Sequence, residues 1–136
     1  MNPNANGYRL PSPSEWTYAA KGGTNAKCYF ADASSARYRD DYVWGAANCD
    51  ETQPVGQKMP NQFGLFDVLG NVSEICWGWT DHEDDRHEER ETLYGYRGGS
   101  FGYTLIDVKK QSKRSFATWL DNRFNATGFR VVSRSY

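Results

Sequence analysis

The chain has 136 residues and a net charge of −1, a length that suits one domain burying roughly two thirds of its unfolded surface. So balanced a charge gives no footing for nucleic acid or an anionic membrane, and no apolar run reaches membrane-spanning length or opens the chain as a signal peptide. Five Trp, nine Tyr, seven Phe and thirteen Gly describe a loop-rich fold whose irregular gaps are filled by rings.

A polar lead-in over residues 1–9 ends in a short extended piece at Tyr8-Arg9-Leu10. A helix is predicted to start at Ser12, which caps it, with Pro13 at the first helical position and Glu15 completing a capping box. Trp16, Ala19 and Ala20 share one face of it, and Gly22-Gly23 end it. Residues 24–41 read as an irregular loop. Tyr42-Val43-Trp44-Gly45 reads as a short buried piece, and Gln53-Pro54-Val55-Gly56 as a turn into a second short extended segment. Cys28, Cys49 and Cys76 are an odd set without metal-ligand spacing. They read as reduced structural thiols, with a Cys28–Cys49 bridge as the alternative for a protein working outside the cell.

The stretch from Asn61 to Glu74 is the centre of the chain. Phe63, Leu65, Phe66, Val68, Leu69 and Val72 form two apolar arms, and Leu69-Gly70-Asn71-Val72 between them reads as a tight turn, because Gly and Asn tolerate positive φ. Asp67 and Glu74 then lie on either side of one bend. One reading is a buried turn with two solvated carboxylates. The other is an oxygen cage in which Asp67, Glu74 and the carbonyls of Gly70 and Val72 converge on a hard cation such as Ca²⁺.

Beyond the turn, Ile75-Cys76-Trp77-Gly78-Trp79 alternates like a strand, with Ile75, Trp77 and Trp79 on one side. The run from Asp81 to Glu91 carries His82 and His87 among carboxylates. Without apolar anchors it reads as a solvated charged loop rather than a transition-metal site. Tyr94 to Ser100 opens a last sheet region that Gly128-Phe129-Arg130-Val131-Val132 closes, Phe129 and Val131 facing one way and Arg130 and Val132 the other. Phe101 and Phe129 are expected in the core.

Four blocks in order carry a family resemblance: GYRLPSPSEWTYAAKGG at 7–23, YVWG at 42–45, FGLFDVLGNVSE at 63–74, and RGGSF at 97–101 with GFRVV at 128–132. They resemble the formylglycine-generating enzyme (sulfatase-modifying factor) family and cover most of the chain. The resemblance implies an α+β fold of the C-type-lectin-like kind, with short strands, few helices and much irregular structure, as a single domain over 1–136. It also implies a Ca²⁺ at the GNVxE turn, here Asp67, Gly70, Val72 and Glu74. The family's insertion with a second calcium site is short here, so one cation at most is expected. Ser73 stands where the family usually has Trp, and Gly78 where it has an acid.

Active members of that family hold copper with two cysteines after the G-G-S block, because soft thiolates are needed for Cu(I). The matching positions here are Tyr103 and Val108, and no cysteine follows Cys76. Both histidines lie in the charged run, so no Ser/His/Asp or Cys/His set takes their place. The chain is therefore read as neither copper-binding nor an enzyme. Residues 101–127 are instead the candidate ligand-binding surface: Gly102, Tyr103, Thr104, Leu105, Ile106, Asp107, Phe116, Thr118, Trp119, Leu120, Phe124 and Asn125 combine large rings with polar neighbours, as recognition surfaces do. Tyr103, Ile106 and Trp119 are expected to be exposed. The layout is similar to that of retroelement-diversified variable proteins of phages, bacteria and archaeal viruses, which hold RGGS and GFRVV fixed and vary what lies between. The expected function is recognition of a protein or other macromolecule by a monomeric domain or part of a larger chain, displayed on a virion or cell surface. The alternative is a divergent sulfatase-modifying enzyme or oxidase accessory domain, and a ligand-free spacer would be indicated by burial of Tyr103, Ile106 and Trp119.

Overall fold

The computed structural model describes residues 7–25, 40–78, 94–103 and 125–133. Among the described residues the bounded elements carry an α+β arrangement: α1 (Pro13–Lys21), β1 (Ser73–Trp77), β2 (Tyr94–Arg97) and β3 (Thr127–Phe129), with residues 40–42 also helical. The helix begins as its sequence dictates. The Ser12 hydroxyl accepts from the Glu15 amide and the Glu15 carboxylate accepts from the Ser12 amide at 2.8 Å, which satisfies two otherwise unpaired N–H groups. Arg9 closes a bidentate pair on the same carboxylate and holds Glu15 down to about 2. Gly22 ends the helix in the left-handed region. Pro13, Trp16 and Ala20 are buried, while Ala19 is half-buried.

Asn61, 5% exposed, ties this helix to the central stretch. Its side-chain amide donates to the Ala19 and Ala20 carbonyls at 2.7 and 3.2 Å, and its oxygen accepts from the Phe63 and Leu65 amides. One buried side chain therefore caps a helix end and shapes a loop some forty residues later in the chain.

β1 is the middle strand, antiparallel to β2 and parallel to β3. The lead-in and the chain's last described stretch meet where Arg9 and Val132 exchange two backbone hydrogen bonds. Trp16, Ala20, Val43, Val68, Leu69 and Cys76 form the core, with Tyr42 and Leu65 packed against it. Gln53-Pro54-Val55-Gly56 forms a turn as expected, and residues 57–62 directly after it form no strand. Cys49 and Cys76 are free thiols, the second fully buried and pushed up to about 12 by desolvation; Cys28 lies outside the described residues.

Phe129, expected in the core, faces out, and the side of β1 that carries Ile75 and Trp77 is not its buried side. β1 buries Glu74 and Cys76, not Ile75 and Trp77; Trp77 is exposed, and Trp79 lies outside the described residues. On the closing segment the alternation holds, but Phe129 and Val131 face out while Arg130 and Val132 are half-buried. The physical reason is the same for both. Glu74 is drawn inward by donors from Trp16 and Arg130, and the period of two then turns the neighbouring aromatics outward.

Candidate functional site

The tight turn forms as its residues require. Gly70 has φ 80° and Asn71 φ 60°, and Asp67 also adopts φ 52°. A Cβ on Gly70 would lie 2.0 Å from the Trp44 carbonyl oxygen, so only glycine lets the two backbones pass. Asn71 fixes the other side of the turn, donating to the Gln53 carbonyl and accepting from the Gln53 amide, both at 3.0 Å. Its backbone amide donates to Trp44 O and its carbonyl accepts from the Phe101 amide. The turn is thus bonded to the blocks at 42–45 and 97–101.

Asp67, Val72 and Glu74 all line one cavity of about 420 Å³, with Val55, Phe66, Phe129 and Arg130 among its other walls. Glu74 is 5% exposed and fully engaged: Oε2 accepts from Trp16 Nε1 at 2.6 Å and Arg130 Nε at 3.0 Å, and Oε1 from Arg130 Nη2 at 2.7 Å. Arg130 Nη2 also donates to the Phe66 carbonyl. Asp67, 9% exposed, accepts from the Gly56 amide at 2.7 Å through Oδ2, while Oδ1 is buried without a hydrogen-bond partner.

This geometry tests the residues expected to hold Ca²⁺. Asp67 Oδ1 has no hydrogen-bond partner but is buried away from solvent, and Val72 borders the cavity. Glu74 already carries a guanidinium in the place a metal would take, and two positive charges on one buried carboxylate repel. Arranged in this way, Asp67, Gly70, Val72 and Glu74 do not fit a hard cation. No group of three or more His, Cys, Asp or Glu close enough to hold a metal occurs among the described residues.

The candidate ligand surface begins at a rigid base. Arg97, Gly98, Gly99 and Ser100 are buried, and Phe101 is half-buried. Gly102 and Tyr103 then emerge, Tyr103 at 39% exposure. Its backbone is anchored at both groups: the amide donates to the Ser100 carbonyl at 3.0 Å and the carbonyl accepts from the Ala46 amide at 3.1 Å. Asn125 is exposed at the far end of the segment, just before β3. Thr104, Leu105, Ile106, Asp107, Val108, Phe116, Thr118, Trp119, Leu120 and Phe124 lie outside the described residues, as do His82 and His87.

Residues 2–135 match the sulfatase-modifying factor enzyme 1-like domain family. The chain belongs to that family. It is 39% identical over 90 residues to the formylglycine-generating enzyme of Mycobacterium tuberculosis, covering 57% of this chain and 28% of that protein. To the chaperone protein LppX of Paenibacillus barcinonensis it is 37% identical over 100 residues, covering 62% of this chain and 36% of that one. Among solved structures it resembles Treponema denticola variable protein 1, with a TM-score of 0.82 and 28% identity over 99% of this chain and 50% of that chain. The chain spans half or less of the length of these relatives, and its fold is the C-type-lectin-like one that the sequence blocks implied.

Sequence reasoning found the turn and its two acids but missed the partners of Glu74 and the cavity's other walls. Arg130 was legible as a lone charge inside an apolar strand, the kind of residue that is buried only when paired. Trp16 was legible only as a core ring, since nothing local reveals that its N–H meets Glu74. No signal marked Val55 and Phe129 as walls of one cavity.

Proposed function

We propose that the domain is a non-catalytic recognition module presenting residues 102–125 to a protein or other macromolecular ligand. The observation that carries the reading is Tyr103: an exposed residue on a backbone bonded to Ser100 and Ala46. A ring that projects from an ordered base offers contact area with little entropy left to lose on binding. The resemblance to a variable protein supports the recognition reading. No helix among the described residues is long and apolar enough to cross a membrane.

The competing reading, a divergent sulfatase-modifying enzyme, draws on the identity to formylglycine-generating enzymes. It requires two soft ligands after the RGGSF block, where Tyr103 and Val108 stand. One experiment addresses each reading. A displayed library randomised at Tyr103, Ile106 and Trp119 should yield folded members at high frequency and binders to an arbitrary protein target on panning. Loss of folded protein across the library would refute the surface assignment. Copper-dependent conversion of a cysteine-containing peptide would refute the non-catalytic reading.

A further inference from the structure

In the order β2-β1-β3, the strand β3 pairs with β1 on one side and with no other strand among the described residues. The ladder fixes which of its backbone groups are used. The Ser73 amide donates to the Ala126 carbonyl, and Glu74 and Ile75 pair with Gly128 and Phe129 in parallel register. That pattern turns the even-numbered backbone groups of the closing segment toward β1. Val132, also even-numbered, exchanges both of its bonds with Arg9. The N–H and C=O groups of Thr127, Phe129 and Val131 therefore point away from β1, and none takes a backbone partner among the described residues. Edge strands are ordinarily blunted by proline, lysine or another exposed charge. Here the one charge, Arg130, is turned inward onto Glu74, while Phe129 and Val131 are 70% and 46% exposed.

We infer that this edge is occupied by a second copy of the chain, through antiparallel pairing of residues 127–131 about a two-fold axis at Phe129. In that register Thr127 lies opposite Val131, Phe129 opposite Phe129 and Gly128 opposite Arg130 of the other copy. Thr127, Phe129 and Val131, whose backbone groups are free, then meet as hydrogen-bonded pairs. One face carries Thr against Val and ring against ring, residue types that favour strands and stabilise them as cross-strand pairs. On the other face Arg130 meets glycine, so no like charges are opposed, and a net charge of −1 per chain leaves little repulsion between copies. A second copy rather than an unrelated strand follows from this match: one register uses every free edge group and opposes no charges with the residues already present. Val55, 83% exposed beside the same cavity as Phe129, widens the apolar rim. So short a contact falls below the ~800 Å² per partner of a stable interface, so the dilute chain is monomeric and pairing appears on concentration.

Sedimentation velocity of the full chain should show a reversible shift from monomer to dimer as concentration rises. Phe129→Lys sets two ammonium groups against each other at the axis and should abolish the dimer while leaving the Tm of the dilute protein unchanged. Val131→Lys, which blunts the same edge without touching the axis, decides the matter if the first variant fails to fold. Phe129→Cys places two thiols across a pair whose Cα atoms lie about 5.5 Å apart, within disulfide range. Oxidation should link the introduced thiols into a covalent dimer, whereas Tyr18→Cys, exposed on α1, should give none at its introduced thiol. A synthetic peptide of residues 125–133 should compete with dimer formation, and a scrambled peptide of the same composition should not. The inference is overturned if the chain stays monomeric at its solubility limit, or if folded Phe129→Lys or Val131→Lys dimerises like the unmodified protein. It is equally overturned if the introduced thiols at 129 and 18 cross-link alike, or if the scrambled peptide competes as well, which would assign the edge to foreign strands.

Discussion

Replacing Arg130 with methionine tests how the central turn is neutralised. The substitution keeps an unbranched stem but leaves Glu74 buried with Trp16 Nε1 as its one remaining donor among those described. Breaking a buried ion pair from one side costs about 3–5 kcal/mol. The Arg130 side chain is 25% exposed, so water partly replaces it, and the low end of about 3 kcal/mol is expected. With about 2.1 cal/mol/K of unfolding entropy per residue over 136 residues, this lowers Tm by about 10 °C. Urea denaturation of Arg130→Met, Glu74→Gln and the double variant forms the assay. The double variant removes both charges and keeps an acceptor for Trp16, so it should recover at least half of the loss. A cost for Arg130→Met below about 1 kcal/mol would refute the reasoning, because some other cation would then be neutralising Glu74.

Four further outcomes are expected. Melting curves in CaCl₂ and in chelator should coincide, since Arg130 occupies the carboxylate a metal would need; a chelator-sensitive Tm would restore the oxygen cage. Gly70→Ala should cost about 3 kcal/mol or more in urea denaturation, combining the strain of φ 80° with a 2.0 Å collision against Trp44 O, and a near-neutral result would mean that the turn lies differently. Phe129→Ser should stay within about 0.5 kcal/mol of the unmodified protein by thermal melting, because the ring is exposed, and a loss of several kcal/mol would return it to the core. The Arg9–Glu15 pair holds the Glu15 carboxyl at about 2, below its ordinary value of 4.5. Its contribution is therefore complete above pH 4.5 and lost as pH falls toward 2; because the pair is largely exposed it amounts to less than about 1 kcal/mol, and Glu15→Gln should flatten that part of the stability curve.

The features legible along the chain were local ones. The capping box at Ser12 and Glu15, the stop at Gly22 and the turn at Gly70-Asn71 depend on backbone geometry within a few residues, so residue type alone announces them. The order of the four blocks carried the family and the fold, and Tyr103 stands exposed where the sequence put it. The faces of β1 and of the closing strand were decided elsewhere. An alternating strand has two faces, and composition favours burying the aromatic one; here the buried face is set by Trp16 and Arg130, residues 58 and 56 positions away that meet Glu74. The same long-range pairing turned Trp77 and Phe129 outward. It also separated the roles of Asp67 and Glu74, which look equivalent along the chain. Only tertiary structure gives one acid its cation and leaves the other with an unpaired oxygen, because that depends on which strand of a distant block lies beside the turn.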